Sequence, residues 1–240
     1  MKFLFVVLFV CGSAVQASAA PRLYLAGDST MANKPTEPPN PEYGWGQVLP
    51  KYFKDPAVVV NYAQNGASTR SFISGGLWKT LVDALQPGDW AVIQFAHNDE
   101  KIFPNARGEF QANLRRFIAE VRSRGANPVL ATPCARRSFD GFGKLIDTHG
   151  DYPDAVRAVA MEENVPLLEL NRLTADLEQA HGDEGSKRLH LWIPAGVYQR
   201  QSQGYEDNTH YSAYGAGRVA ALAVQEMIRL QLPITQWLAP

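Results

Sequence analysis

The chain has 240 residues, 45% of them hydrophobic and 20% charged, with a formal net charge of −1. That length suits one globular domain with a sizeable core. The near-neutral charge excludes bulk electrostatic attraction to nucleic acid or to an anionic membrane.

Lys2, the apolar run from Phe3 to Val10 and the small residues Ala17, Ser18, Ala19 and Ala20 form the three-part pattern of a secretory signal peptide. Residues 1–20 are therefore expected to be removed, leaving a single domain over residues 21–240 that is exported, periplasmic or secreted. The apolar run is too short for a membrane span. Its removal takes Cys11 with it, so Cys134 has no intrachain disulfide partner and stability must come from the core.

Leu23 to Ala26 reads as a short buried strand stopped by Gly27, which places Asp28 and Ser29 just past its carboxyl end. Residues 33–43, rich in proline and polar side chains, read as a loop, and Gly44-Trp45-Gly46 opens a short helix through Phe53. The β-branched run Val58 to Ala63 is a second strand, closed by the turn cluster Gln64 to Ser68. A helix over Leu77 to Leu85 is broken by Pro87-Gly88-Asp89. Trp90 to Phe95 is a third strand, ending at Ala96-His97-Asn98-Asp99.

From Phe110 to Arg124, Phe110, Leu114, Phe117, Ile118 and Val121 share one helical stripe, with Gly125 as the stop. Pro128 to Ala131 is a fourth strand, Asp151 to Asn164 a helix, Val165 to Leu168 a fifth strand and Leu173 to His181 a helix. Residues 182–206 lack periodicity and read as a long surface loop. The last helix, Ala213 to Leu230, turns Val219, Leu222, Ala223, Met227 and Leu230 inward. This alternation predicts an α/β fold: a parallel five-stranded sheet in a three-layer α/β/α domain, with no internal repeat.

In such sheets ligands bind at the carboxyl ends of the strands, and three of those ends carry residues suited to acyl transfer. Ser29 follows the first strand, Gly66 the second and Asn98 the third. Near the C-terminus, Asp207-Asn208-Thr209-His210 supplies an acid and a histidine separated by two residues. A serine nucleophile needs a base, and the base needs an acceptor that fixes its tautomer. Asp207 against Nδ1 of His210 would leave Nε2 for Ser29. The Ser29 N–H, the Gly66 N–H and the Asn98 amide are the candidate oxyanion donors.

These four blocks, in this order, resemble the SGNH (GDSL-type) hydrolase family over nearly the whole chain after the signal peptide. Within it, Leu25 to Ala32, Gly44-Trp45-Gly46, His97-Asn98-Asp99 and Glu206 to His210 are most similar to rhamnogalacturonan acetylesterases. The resemblance implies a flavodoxin-like fold and a deacetylase of pectin backbones that uses neither metal nor other cofactor. The family has glycine where this chain has Ala96, a methyl expected to narrow the pocket or shift Asn98.

Among the other polar residues, Asp28 is expected to brace the nucleophile loop, and His97 and Asp99 the turn around Asn98. His181 and His190 have no partner motif, no spacing suggests a metal site, and Cys134 reads as a small buried residue. Arg70, Arg136 and Arg137 follow strand ends and are candidates for holding uronate carboxylates, with His149 as a further cleft candidate. Trp78 and Trp192 are candidates for stacking on sugar.

The expected partner is an acetylated acidic polysaccharide or its oligosaccharides, with no nucleic acid and no membrane. Acetylated xylan, a small or lipid ester, or a non-catalytic carbohydrate-binding module of the same fold are the alternatives. Lys187, Arg188, Gln199, Arg200 and Gln201 interrupt the 182–206 segment, which argues against an apolar acyl tunnel.

Overall fold

The computed structural model describes residues 20–37, 39–199 and 202–240. The expected signal peptide, Ala20 apart, lies outside them. Along the chain run β1 (Leu23–Gly27), β2 (Glu42–Tyr43), α1 (Trp45–Val48), β3 (Val59–Asn61), α2 (Thr69–Ser74), α3 (Leu77–Ala84) and β4 (Trp90–Gln94). They are followed by α4 (Glu109–Ser123), β5 (Asn127–Ala131), α5 (Tyr152–Glu162), β6 (Leu167–Leu168), α6 (Leu170–Ser186), β7 (His190–Ile193), β8 (Tyr205–Ser212) and α7 (Ala213–Arg229).

The central sheet has five parallel strands in the order β3-β1-β4-β5-β6. Its strands are apolar at nearly every position because both faces are covered. Successive side chains of β1 alternate between the two layers: Tyr24 and Ala26 pack with Phe95, Phe110 and Phe117. Leu23 and Leu25 pack with Trp45 and the α7 residues Val219, Ala223 and Met227. Leu222 of α7 and Leu230 just after it are only partly buried at the edge of that layer. Gly27 ends β1 where a Cβ would stand 2.9 Å from the Gln94 carbonyl oxygen, so only glycine lets the chain pass β4 this closely.

Several elements differ from the sequence expectation, among them β6, which covers only the last two residues of the expected fifth strand. A short helix, α2, precedes α3 and starts with a capping box between Ser68 and Ser71; its six residues are too few to show a period. β3 is shorter than the run from Val58 to Ala63, because Pro56 to Val58 form a 3-10 turn. Residues 182–206 are not one surface loop. α6 continues past a break at Gly182 to Ser186, and β7 and β8 form a small antiparallel sheet with β2 in the order β2-β8-β7. The polar sequence of β8, with Asp and Asn in it, carries little strand propensity.

Ala96 follows β4 with φ +145°, a region that side chains with a Cβ rarely adopt. Its methyl is fully buried within the cluster of Tyr24, Phe72 and Phe95, so it does not narrow the cleft as expected from sequence. Two effects therefore oppose one another on replacement by glycine. Relief of the positive φ is worth about 1–3 kcal/mol. The lost methyl costs about 0.8 kcal/mol and the freer unfolded chain about 0.4–1 kcal/mol. Ala96→Gly should fall between a loss of about 1 kcal/mol and a gain of about 2 kcal/mol, whereas Ala131→Gly, buried in an ordinary strand, should cost about 1–2 kcal/mol. Urea denaturation of the two variants checks this; equal losses would remove the strain at Ala96.

Candidate active site

Ser29 lies in the turn after β1, where the N–H groups of Met31 and Ala32 bond the Asp28 carbonyl. The Asp28 side chain is fully buried. Its Oδ1 accepts from Thr30 N (2.9 Å) and Thr30 Oγ1 (2.8 Å), and its Oδ2 meets His97 Nδ1 at 3.2 Å. Burial pushes Asp28 up, but the charge and hydrogen bond of His97 and the Thr30 bonds outweigh it and hold the carboxyl below its usual range. Burial draws His97 down in turn. Asp28 therefore holds the turn, and its carboxylate is consumed in doing so.

His210 reaches Ser29 from the second sheet through an irregularity in β8. His190 pairs with Tyr211 and Leu191 with Asp207, so one step along β7 faces four along β8 and Asn208, Thr209 and His210 bulge out. Asp207 closes the bulge: its Oδ1 accepts from Thr209 N (2.6 Å) and His210 N (2.8 Å), and its Oδ2 accepts from His210 Nδ1 at 2.7 Å. Nε2 of the same ring stands 2.8 Å from Ser29 Oγ. Burial raises the Asp207 pKa, but hydrogen bonds from the ring and backbone of His210 and from Thr209 overcome it and hold the acid well below the usual carboxylate range. An ionised Asp207 keeps the Nδ1 proton in place and leaves Nε2 as the acceptor for the Ser29 hydroxyl.

Asn98, Gly66 and Ser29 line one cleft of about 620 Å³ together with Glu42, Asn65, Lys101, Arg136, Tyr205 and His210. Gly66 has φ +75°, which favours glycine. Among the described residues neither the Ser29 nor the Gly66 N–H is taken up by a backbone carbonyl. Asn98 Nδ2 donates one hydrogen to the Ala67 carbonyl (3.0 Å), leaving a second, while Lys101 Nζ donates to its Oδ1 (3.1 Å). Beneath it the buried Asp99 accepts from Thr69 N (2.9 Å) and Thr69 Oγ1 (2.5 Å), tying the Asn98 turn to the start of α2.

The structure thus brings Ser29, Gly66, Asn98 and His210 into one cleft, with Asp207 bonded to the His210 ring behind it, but not all the other candidates. Arg70 lies outside the cleft lining, its guanidinium held in a two-pronged pair with Glu109 (2.8 and 2.6 Å). Arg137 is buried: it pairs with Asp183, and its backbone N–H and Nη1 hold the carbonyl and Oδ1 of Asn208 (2.9 and 3.1 Å). It props the β8 bulge instead of meeting a ligand. His149 is buried under the cleft between Glu100 (3.1 Å) and the Cys134 carbonyl (2.8 Å). Arg136 does line the cleft, already paired with Glu100.

Trp78 is a core residue bonded to Glu120, and Trp192 lines a separate groove, its ring close to Lys187 and Arg137. Cys134 is fully buried, which pushes its thiol up to about 12 and leaves it unreactive. His190, without a motif in the sequence, bonds the His210 carbonyl (3.1 Å) and Glu178 (2.7 Å) behind the bulge.

Residues 25–216 match the GDSL-like lipase/acylhydrolase family. The chain is 40% identical over 218 residues to the rhamnogalacturonan acetylesterase RhgT of Bacillus subtilis (strain 168), covering 89% of this chain and 92% of that protein. It is 32% identical over 222 residues to a probable rhamnogalacturonan acetylesterase of the same organism, YesY, covering 90% and 97%. The crystal structure of YxiM from Bacillus subtilis matches with a TM-score of 0.75 at 28% identity, over 91% of this chain and 59% of that one. An acetylxylan esterase from Geobacillus stearothermophilus shares the fold, with a TM-score of 0.60 at 16% identity over 87% and 94% of the two chains. The chain belongs to the GDSL-like lipase/acylhydrolase (SGNH) family, and is by that membership a carboxylic ester hydrolase.

Burial raises Asp99 from 3.8 to about 6, against the Thr69 hydrogen bonds that lower it. The folded chain therefore holds this proton up to about pH 6, while the unfolded chain releases it near the ordinary carboxylate value of about 3.9. Between the two the folded state binds more protons, so this group's contribution to stability is lost as pH rises. The stability of wild type relative to Asp99→Asn should fall by about 2 kcal/mol between pH 4 and 7. Denaturant unfolding across that range measures it, and a difference independent of pH would refute the assignment.

Proposed function

We propose that this SGNH-family hydrolase removes O-acetyl groups from a pectic polysaccharide, rhamnogalacturonan, through an acetyl-serine intermediate. One observation carries the mechanism: the continuous Asp207–His210–Ser29 hydrogen-bonded chain ends beside three N–H donors in one open cleft. Ser29 Oγ attacks the acetyl carbonyl carbon and its proton passes to His210 Nε2. The carbonyl oxygen becomes an oxyanion, which takes hydrogen bonds from the Ser29 N–H, the Gly66 N–H and Asn98 Nδ2. As the ester bond breaks, His210 returns that proton to the departing sugar oxygen. Water then attacks acetyl-Ser29, giving its proton to Nε2 and from there to Ser29 Oγ, and acetate leaves.

Two relatives named as rhamnogalacturonan acetylesterases support the substrate. The cleft lining supports it as well: Glu42, Asn65, Lys101 and Arg136 suit sugar hydroxyls and carboxylates and give no apolar channel for a lipid chain. The N-terminal pattern, with its charged start, apolar run and small residues, supports export to the compartment where such a polymer is met.

Acetate release from acetylated rhamnogalacturonan by the purified protein and by Ser29→Ala, side by side, tests the proposal. Release by the wild type alone is expected, and equal release by both would sink the serine mechanism. Cleavage of a small aryl acetate without release from the polymer would leave an esterase and discard the pectic substrate. Asn98→Ala should lower turnover on the order of 10²–10³-fold, as for loss of one oxyanion donor. Asp207→Asn should lower it about 10³–10⁴-fold, through the wrong histidine tautomer.

A further inference from the structure

The three arginines that follow strand ends are all committed within the protein. Arg70 pairs with Glu109, Arg136 with Glu100 and Arg137 with Asp183. Lys34, buried behind the cleft wall, has its ammonium between Glu42 (2.6 Å) and Asn65, which neutralises the carboxylate that lines the cleft. Lys101 differs from all of these. It is exposed, it lines the same cleft as Ser29 and His210, and no carboxylate among the described residues lies within ion-pair distance of it. Its single side-chain bond among the described residues is to the neutral Oδ1 of Asn98. An ammonium has three donors, so two remain for a ligand.

Resting on the proposed substrate class, we propose that Lys101 is the cation that holds a uronate carboxylate of the glycan next to the acetylated sugar. The location gives the contact a second consequence. Nζ stands 3.1 Å from Asn98 Oδ1, so a carboxylate on Lys101 sits beside the group that presents Nδ2 to the oxyanion. The bond from Lys101 also fixes which end of the Asn98 amide faces the Ala67 carbonyl. Binding of the acidic sugar and orientation of the oxyanion donor then share one ammonium. A paired guanidinium such as that of Arg136 would have to break its bond to Glu100 to do the same.

The test compares kcat/KM on acetylated rhamnogalacturonan oligosaccharides with kcat/KM on the same oligosaccharides after their carboxyl groups are reduced to alcohols. For the wild type the ratio should favour the acidic form and shrink as salt rises, since the pair is exposed and the screening length is about 10 Å at 0.1 M. Lys101→Met should cut the ratio on the order of tenfold, mainly through KM, and Lys101→Arg should restore most of it. If Lys101→Met lowers both substrates equally through kcat, the residue acts only through Asn98 and the proposal is overturned. An unchanged ratio in a fully active Lys101→Met also overturns it, leaving the pectic reading intact. If the wild type itself releases nothing from the acidic oligosaccharides, both readings fall.

Discussion

The hydrogen bond between Ser29 and His210 joins residues 181 apart in sequence, one in the turn after a strand of the central sheet and the other in a strand of the small sheet, and the rest of the active edge is arranged to make it possible. Ser29 is fixed by the end of a parallel strand whose register against β4 leaves no slack: Gly27 stands against Gln94. His210 has no such support, because it lies in a bulge where β8 has more residues than its partner. A bulge is normally a local loosening, yet this one is bonded on several sides. Asp207 takes two of its backbone N–H groups, Arg137 and Trp192 both donate to the Asn208 side chain, and His190 bonds the His210 carbonyl. The second sheet, which among the described residues shares no hydrogen-bonded strand pair with the first, thus presents one side chain as firmly as a strand end presents the other.

Three aspartates at this edge show how surroundings move the proton affinity of one residue type in opposite directions. Asp207 and Asp28 are both desolvated, but each has a histidine ring and N–H donors facing it, so the charge is kept. Asp99 has donors on one oxygen only; its Oδ2 is buried without a partner, and desolvation prevails. The difference lies in the number of donors, not in depth of burial. Asp207 thereby orients the His210 ring, Asp28 holds the Ser29 turn and Asp99 tethers the Asn98 turn to α2.

The central sheet was legible because strands buried on both faces are continuous apolar runs, and β1, β4 and β5 each stop within a residue of the expected end. The grouping of Ser29, Gly66, Asn98, Asp207 and His210 was legible because it depends on strand ends and chain order. The small sheet was not, since Tyr205 to Ser212 is polar and owes its strand state to pairing with β7 and β2, partners that local sequence does not specify. Nor was the strain at Ala96, where the departure from glycine was visible but the direction of the methyl was not.

The basic residues expose the deeper limit. From sequence, Arg70, Arg136 and Arg137 were the natural candidates for an acidic ligand, because guanidinium suits carboxylate geometry and all three follow strand ends. That same affinity is why the folded chain uses them: Glu109, Glu100 and Asp183, distant in sequence from their partners, satisfy them internally. A cation's availability to a ligand is therefore a property of what remains unpaired after folding, and residue type predicts it poorly. Lysine at position 101 has the weaker geometric claim on a carboxylate, yet its only side-chain bond among the described residues is to a neutral amide oxygen. A substrate carboxylate has to displace water from that ammonium, whereas at each arginine it would have to displace an acid already bound.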